Sequence, residues 1–372
     1  MINLTELLKM KLSNSIRLMS VLLGSCSLFA ACKETFELPA DRDFISENIT
    51  YENKVIQPII GRDNIHTGLL LDNSTLPLKF EIINPRYGDG TPYTDVFQKA
   101  PTYEWIAEYD GKEKSLAEIE AKRHLVEKPY FEVDDYGRFI MYGSSTNETV
   151  APRPADTVVK TQDVRFFDLK VSNSGGFQII KDLQLIPWRQ RDYSPDYDMN
   201  PYTGGVAPDP RNPKDPSKRE YLKPSWFSNI IGANSNTNLK NDDKQTDLVV
   251  FIRRFEGGNG KSLRFRFLNP DSSAINPAKF NETKWDLLVH GFNKQMTSEY
   301  VQYDVAYPIP LTSIRTDYNS GSNARVVFKY SRTGMGGTLT YAEMGLDFRI
   351  FKSGDWEIVF MFRRESPKFE DE

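Results

Sequence analysis

The chain has little of what most reactive sites are built from. Among its 372 residues there are two cysteines, Cys26 and Cys32, and three histidines, His66, His124 and His290. No cysteine follows Cys32, so no disulfide can staple the main body, and stability must come from apolar cores that a chain of this length can supply. The histidines show no metal-ligand spacing, so no metal or other cofactor is expected, and His124 is placed on a helix in a structural role. No Gly-x-Ser-x-Gly elbow and no glycine loop opening a helix is present, which leaves serine hydrolysis and phosphate cradling without support. Positive charge is also short: 47 Lys and Arg stand against 51 Asp and Glu, for a net charge of −4, and no basic cluster tracks a nucleic-acid backbone. No run reaches the roughly 20 apolar residues that a membrane-spanning helix needs.

Carboxylates are plentiful, but a glycosidase needs two of them flanking a sugar at a set separation. The adjacent pair Asp134-Asp135 would point to opposite faces of a strand, which suits a turn better than acid/base work. The chain is therefore expected to bind rather than catalyse.

What is present begins with an address. Lys11 and Arg17 flank an apolar run, Leu18 to Ala31, in the plan of a signal peptide, with either Met1 or Met10 as its start. The run closes on "SLFAACKE", in which Phe29-Ala30-Ala31-Cys32 resembles the lipobox of bacterial lipoproteins. Cys32 is the expected lipidation site. Cys26, after Leu23-Gly24-Ser25, is the alternative, with a shorter apolar core behind it. Lys33-Glu34 resembles the signal that sends Bacteroidota lipoproteins to the outer face of the outer membrane. Removal of residues 1–31 takes away Lys9, Lys11 and Arg17 against Glu6, so the mature chain carries −6. Residues 32–49 read as a polar tether.

With 18 Tyr, 23 Phe and sparse helical periodicity, the body reads as all-β. Residues 50–186 are expected to form an immunoglobulin-like β-sandwich with a helical insertion at 115–127, opened by Ser115 and Glu118 and closed by Pro129. Within it, "YFEVDDYGRFIMYG" reads as a hairpin, and so does the pair of strands around Asn173-Ser174-Gly175-Gly176. Residues 246–372 are expected to form a second β-sandwich. Leu263, Phe265 and Phe267 alternate there with Arg264 and Arg266, and "MGLDFRIFKSGDWEIVFMFRR" reads as a hairpin turning at Ser353-Gly354-Asp355.

Between them, residues 187–245 read as a long connection, with eight of the 22 prolines falling between Pro187 and Pro224. Its aromatics, Trp188, Tyr193, Tyr197, Tyr202, Tyr221 and Trp226, stand amid polar residues. Exposed rings can stack on sugar faces or anchor a partner, so these six are the expected ligand contacts, over the junction of the two domains. The opposing reading is that they pack the connection down. Asp156-Thr157-Val158 resembles the motif at which Bacteroidota attach O-linked glycans, with Thr157 the acceptor.

Four separated stretches, "SLAEIEAKRHLVEKPYFEV", "INPAKFNETKWDLLVHGFN", "YVQYDVAYPIPL" and "GDWEIVFMFRRESPKFEDE", together resemble the Bacteroidota lipoprotein family known as domain of unknown function 5007. The resemblance implies an uncharacterised outer-membrane lipoprotein encoded beside a TonB-dependent transporter and its nutrient-binding lipoprotein, often with fasciclin-type proteins nearby. It brings no catalytic residues. The implied role is a lipid-anchored, surface-exposed accessory of nutrient uptake, its ligand a glycan. The alternatives are an adhesion or envelope-structural lipoprotein and, behind that, a glycan hydrolase.

Overall fold

Side chains on a strand alternate between faces, so short runs of alternating apolar and polar residues can bury one face only by pairing into sheets. The computed structural model describes residues 43–151, 164–196 and 221–371, apart from Asp243 and Met335. Among these the chain is all-β, and the sole α-helix is Leu116–Glu120.

The C-terminal half is a sandwich of two five-stranded sheets. One has the order Leu248–Arg254, Trp356–Phe362, Ser262–Leu268, Tyr300–Val305, Gly291–Met296. The other is built on the long antiparallel pair Asn323–Gly334 and Thr338–Ile350, whose register sets Val326 opposite Leu346 and Phe328 opposite Met344. The inner faces share one continuous core, in which Phe265, Phe267, Phe328, Phe348 and Phe360 are fully buried. Arg264 and Arg266 lie on the outer face, as the alternation requires. There Glu357, only 3% exposed, sits between neighbouring strands and accepts hydrogen bonds from Arg253 Nε at 2.6 Å and Arg264 Nε at 2.8 Å.

The hairpin expected around Ser353-Gly354-Asp355 is not formed. Its two arms belong to different sheets: Thr338–Ile350 pairs with Asn323–Gly334, whereas Trp356–Phe362 lies antiparallel to Leu248–Arg254 and parallel to Ser262–Leu268. The turn carries the chain across the core, so Phe328 and Phe360, on opposite sheets, meet with ring centroids 5.1 Å apart. The corner is held from outside itself. The Asp355 carboxylate accepts the Gly260 amide at 2.8 Å and the Ser262 amide at 3.1 Å, and the Tyr307 hydroxyl donates to the Gly354 carbonyl at 2.9 Å.

The N-terminal half contains a four-stranded sheet, in the order Val55–Ile56, Gly176–Leu185, Arg165–Asn173, Lys79–Tyr87, and a three-stranded one, Asn64–His66, Phe139–Met141, Phe131–Val133. Phe167 of the first meets Phe131 and Phe139 of the second edge-on, at 5.7 and 5.3 Å. The expected sandwich is thus met at the level of two facing sheets. Asp134 makes the expected hairpin turn, accepting the Tyr136 and Arg138 amides at 3.0 and 2.8 Å.

The helical insertion is shorter than the sequence suggests. Ser115 Oγ does cap the helix by accepting the Glu118 amide at 3.2 Å, but the helix ends at Glu120 and not at residue 127. Residues Arg123–Pro129 instead form a strand against Lys99–Trp105, which places His124 on a strand, opposite Glu104. Helical propensity over a few residues is a weak force, and a seven-residue ladder with a waiting partner outweighs it.

By its internal contacts the chain divides into two units, and both β-rich halves lie mainly in the larger, which holds Thr50–Leu70, Phe80–Lys170 and the chain from Ile179 onward. The described part of the smaller unit comprises residues up to Ile49 with Leu71–Lys79 and Val171–Gln178. Within it, Asn173 Nδ2 donates to the Phe44 and Thr75 carbonyls at 2.9 and 3.1 Å, and Ser46 Oγ to Asp72 at 2.6 Å. The end of the expected tether, from Asp43 onward, is therefore held by side-chain hydrogen bonds.

Candidate binding cleft

Two clamps join the insertion to the second sandwich. Arg123 spends its guanidinium on both sides: Nη1 donates to the Tyr307 carbonyl at 2.7 Å, while Nε and Nη2 donate to Glu120 at 3.0 and 2.6 Å. The same guanidinium lies 4.1 Å from the centre of the Tyr103 ring. At the second clamp His290 bonds through both nitrogens, with the Tyr109 hydroxyl 2.6 Å from Nδ1 and the Glu113 carbonyl 2.7 Å from Nε2. A carbonyl can only accept, so Nε2 donates to Glu113. Tyr318 stacks on the imidazole at 4.5 Å, nearly parallel. The histidine read as structural is thus a bracket. His290→Ala is expected to cost about 1–3 kcal/mol by orphaning the Glu113 carbonyl and the Tyr109 hydroxyl, read as a lower urea midpoint, with His290→Gln milder.

These clamps shape a cleft of about 480 Å³ between the two β-rich halves. One wall comes from the insertion hairpin, where Tyr103 and Leu125 face each other across the ladder and are 50% and 57% exposed. The segment Pro308 to Ser313 contributes another part of the lining, and Arg62, Arg349 and Phe351 a third. Thr102 and Ser144, their hydroxyls 2.8 Å apart, add polar groups. Among the described residues Asp63 supplies the one carboxylate of the lining, and it accepts the Gly143 amide at 2.8 Å. It opens onto the cleft yet sits deep among its walls, and this loss of bulk water raises its carboxyl above the ordinary range, against the opposing pull of the Gly143 amide.

The aromatic connection lies elsewhere. None of its rings lines this cleft among the described residues. Trp188 is half-buried, and its backbone bridges Ile59, donating to the Pro58 carbonyl at 2.8 Å. Tyr193 joins the second sandwich as a short strand opposite Ile350, its ring edge-on to Trp356 at 5.8 Å. Tyr221 lies under Arg363, and Trp226 pairs opposite Gly345 with Arg325 over its ring at 5.0 Å. Tyr193, Tyr221 and Trp226 thus lie against the protein's own side chains, and two short pieces of the connection, Tyr193–Ser194 and Trp226–Ser228, are strands added to the second sandwich. Tyr197 and Tyr202 lie outside the described residues, as do Cys26, Cys32 and Thr157.

The aromatics of the connection were expected to meet a ligand over the junction of the halves; a cleft lies between the halves, and its described lining comes from other segments. Tyr103 stands in "PTYEW", whose alternation signalled a strand with rings on one face; "YPIPL" signalled a proline-rigid segment. Neither says which distant segment it will face. Among the described residues no group of His, Cys, Asp or Glu could hold a metal ion, and no helix is long and apolar enough to cross a membrane.

A family model described as "Domain of unknown function (DUF5007)" matches residues 70–371, and the chain belongs to that family. No curated protein and no solved structure matches the chain.

Proposed function

We propose that this family member is a lipid-anchored cell-surface accessory protein of an outer-membrane nutrient-uptake system, and that it acts by holding a glycan in the cleft. The observation that carries the reading is the cleft's composition. An exposed tyrosine ring beside aliphatic side chains offers a stacking platform for sugar faces, and hydroxyls and a carboxylate within the same walls offer hydrogen bonds to sugar hydroxyls. A single carboxylate in the lining among the described residues also supports binding over hydrolysis, because both glycosidase geometries use two. The address rests on the leader, which ends at Ala30-Ala31-Cys32 with Lys33-Glu34 behind. Its partners on this reading are the membrane, through the lipid, and a TonB-dependent transporter with its nutrient-binding lipoprotein.

Two measurements test the proposal. Cys32→Ser should release the protein from membranes, while the native chain on intact cells should be digested by added protease; a soluble periplasmic protein with Cys32 intact would defeat the address. A panel of polysaccharides, read for binding and for turnover, tests the role. Tyr103→Ala should weaken glycan binding by about threefold to tenfold, the worth of one aromatic contact of 0.5–1.5 kcal/mol. Turnover of any member of the panel would make the protein a hydrolase. Co-purification with surface or matrix material in place of a transporter would make it an adhesin.

A further inference from the structure

Two guanidiniums share one aromatic ring where the Thr338–Ile350 strand leaves its sheet, in a lining whose one carboxylate among the described residues is Asp63. The guanidinium carbon of Arg62 lies 3.6 Å from the centre of the Phe351 ring, and that of Arg349 lies 4.8 Å from the same centre. Arg191 stands close by, already ion-paired with Asp196 at 2.8 Å. Arg62 donates one N–H to the Arg191 carbonyl at 3.4 Å, but its Nε is buried without an acceptor. The Nε of Arg349 is likewise buried and unaccepted, and the Arg349 side chain makes no hydrogen bond or ion pair with any described residue. Both Arg62 and Arg349 line the cleft. Burial lowers the pKa of Arg349, and burial together with repulsion from Arg349 and Arg191 brings that of Arg62 down to about 10.

We infer that the cleft takes its ligand by an anionic group, a carboxylate or a sulfate borne on a saccharide, with Arg349 and Arg62 as the cationic contacts. The inference rests on the saccharide reading above and narrows it to acidic glycans. A guanidinium laid on an aromatic ring keeps its N–H edges free for in-plane bonding, the geometry that matches a carboxylate or sulfate two bonds at a time. Two half-buried guanidiniums near one ring repel each other, and an incoming anion relieves that repulsion. The net charge of −4 gives no long-range steering toward anions, so selectivity must be local, at these two side chains.

The test is calorimetric titration of the full-length, detergent-solubilised protein with four probes of matched length: oligogalacturonate, its methyl ester, dextran sulfate oligosaccharide and plain dextran oligosaccharide. At least one acidic probe should bind tenfold or more tightly than its neutral counterpart, and which one does so distinguishes carboxylate from sulfate. Arg349→Gln should erase that preference, with Arg349→Lys retaining part of it and the melting temperature little changed. Arg62→Gln, contributed by the other half of the chain, gives an independent reading should the Arg349 variant unfold. Equal binding of acidic and neutral probes, or a preference that survives both glutamine variants, overturns this inference and leaves the saccharide reading standing. Binding of none of the four, with no other polysaccharide bound either, defeats that reading and this one with it.

Discussion

Phe328→Ala is expected to lower the stability of the protein by about 3–5 kcal/mol, the range for deleting a fully buried aromatic side chain from a core that cannot collapse around the gap. Phe328 is fully buried on the Asn323–Gly334 strand, and its ring meets residues from several parts of the second sandwich. Phe267 and Phe265 of the opposite sheet lie at 4.8 and 5.4 Å, and Phe360 of that sheet at 5.1 Å. Trp285, on a single 3-10 turn, closes the cluster at 5.7 Å. Since these neighbours come from two strands and a 3-10 turn, no single side chain can swing into the void. The effect should appear as a lower urea midpoint with an unchanged slope, whereas Phe328→Leu, which keeps most of the volume, should lose less than half as much. A loss below about 1 kcal/mol would show that the two sheets do not share this core.

The second large effect concerns the connection. Gly345 is buried in the Thr338–Ile350 strand, directly opposite Trp226. A Cβ added there would fall well inside contact distance of both the Trp226 ring and the Val326 carbonyl oxygen. A ring can shift; a carbonyl held in a ladder cannot. Gly345→Ala is accordingly expected to destabilise by about 3 kcal/mol, at the upper end for overpacking. Trp226→Ala should cost about 2 kcal/mol through lost burial of a half-buried ring. Neither should change glycan affinity in the folded fraction, because Trp226 does not line the cleft. If Trp226→Ala abolished binding and left the melting temperature untouched, the rings of the connection would be ligand contacts after all.

Several features could be read from the residues in order because they are decided locally. The all-β character follows from alternation, and so does the side each residue takes: Leu263, Phe265 and Phe267 face inward and Arg264 outward, as read. The Asp134 turn and the Ser115 cap are likewise set within a few residues, by a side-chain oxygen reaching a nearby amide. Partner choice is not local. The arms on either side of Gly354 carry identical alternation whether they lie side by side or face each other across a core. Distant partners hold the second arrangement: the ladders to Leu248–Arg254, Ser262–Leu268 and Asn323–Gly334, and the Asp355 contacts with Gly260 and Ser262, 95 and 93 residues away in the chain. For the same reason the helix read to residue 127 yielded to a strand once Lys99–Trp105 lay beside it. The cleft belongs wholly to this second kind of information. Arg62, Tyr103 and Arg349 carry no shared pattern in sequence, and packing alone brings them to one lining, since burial rewards total apolar area and not the order in which segments supply it.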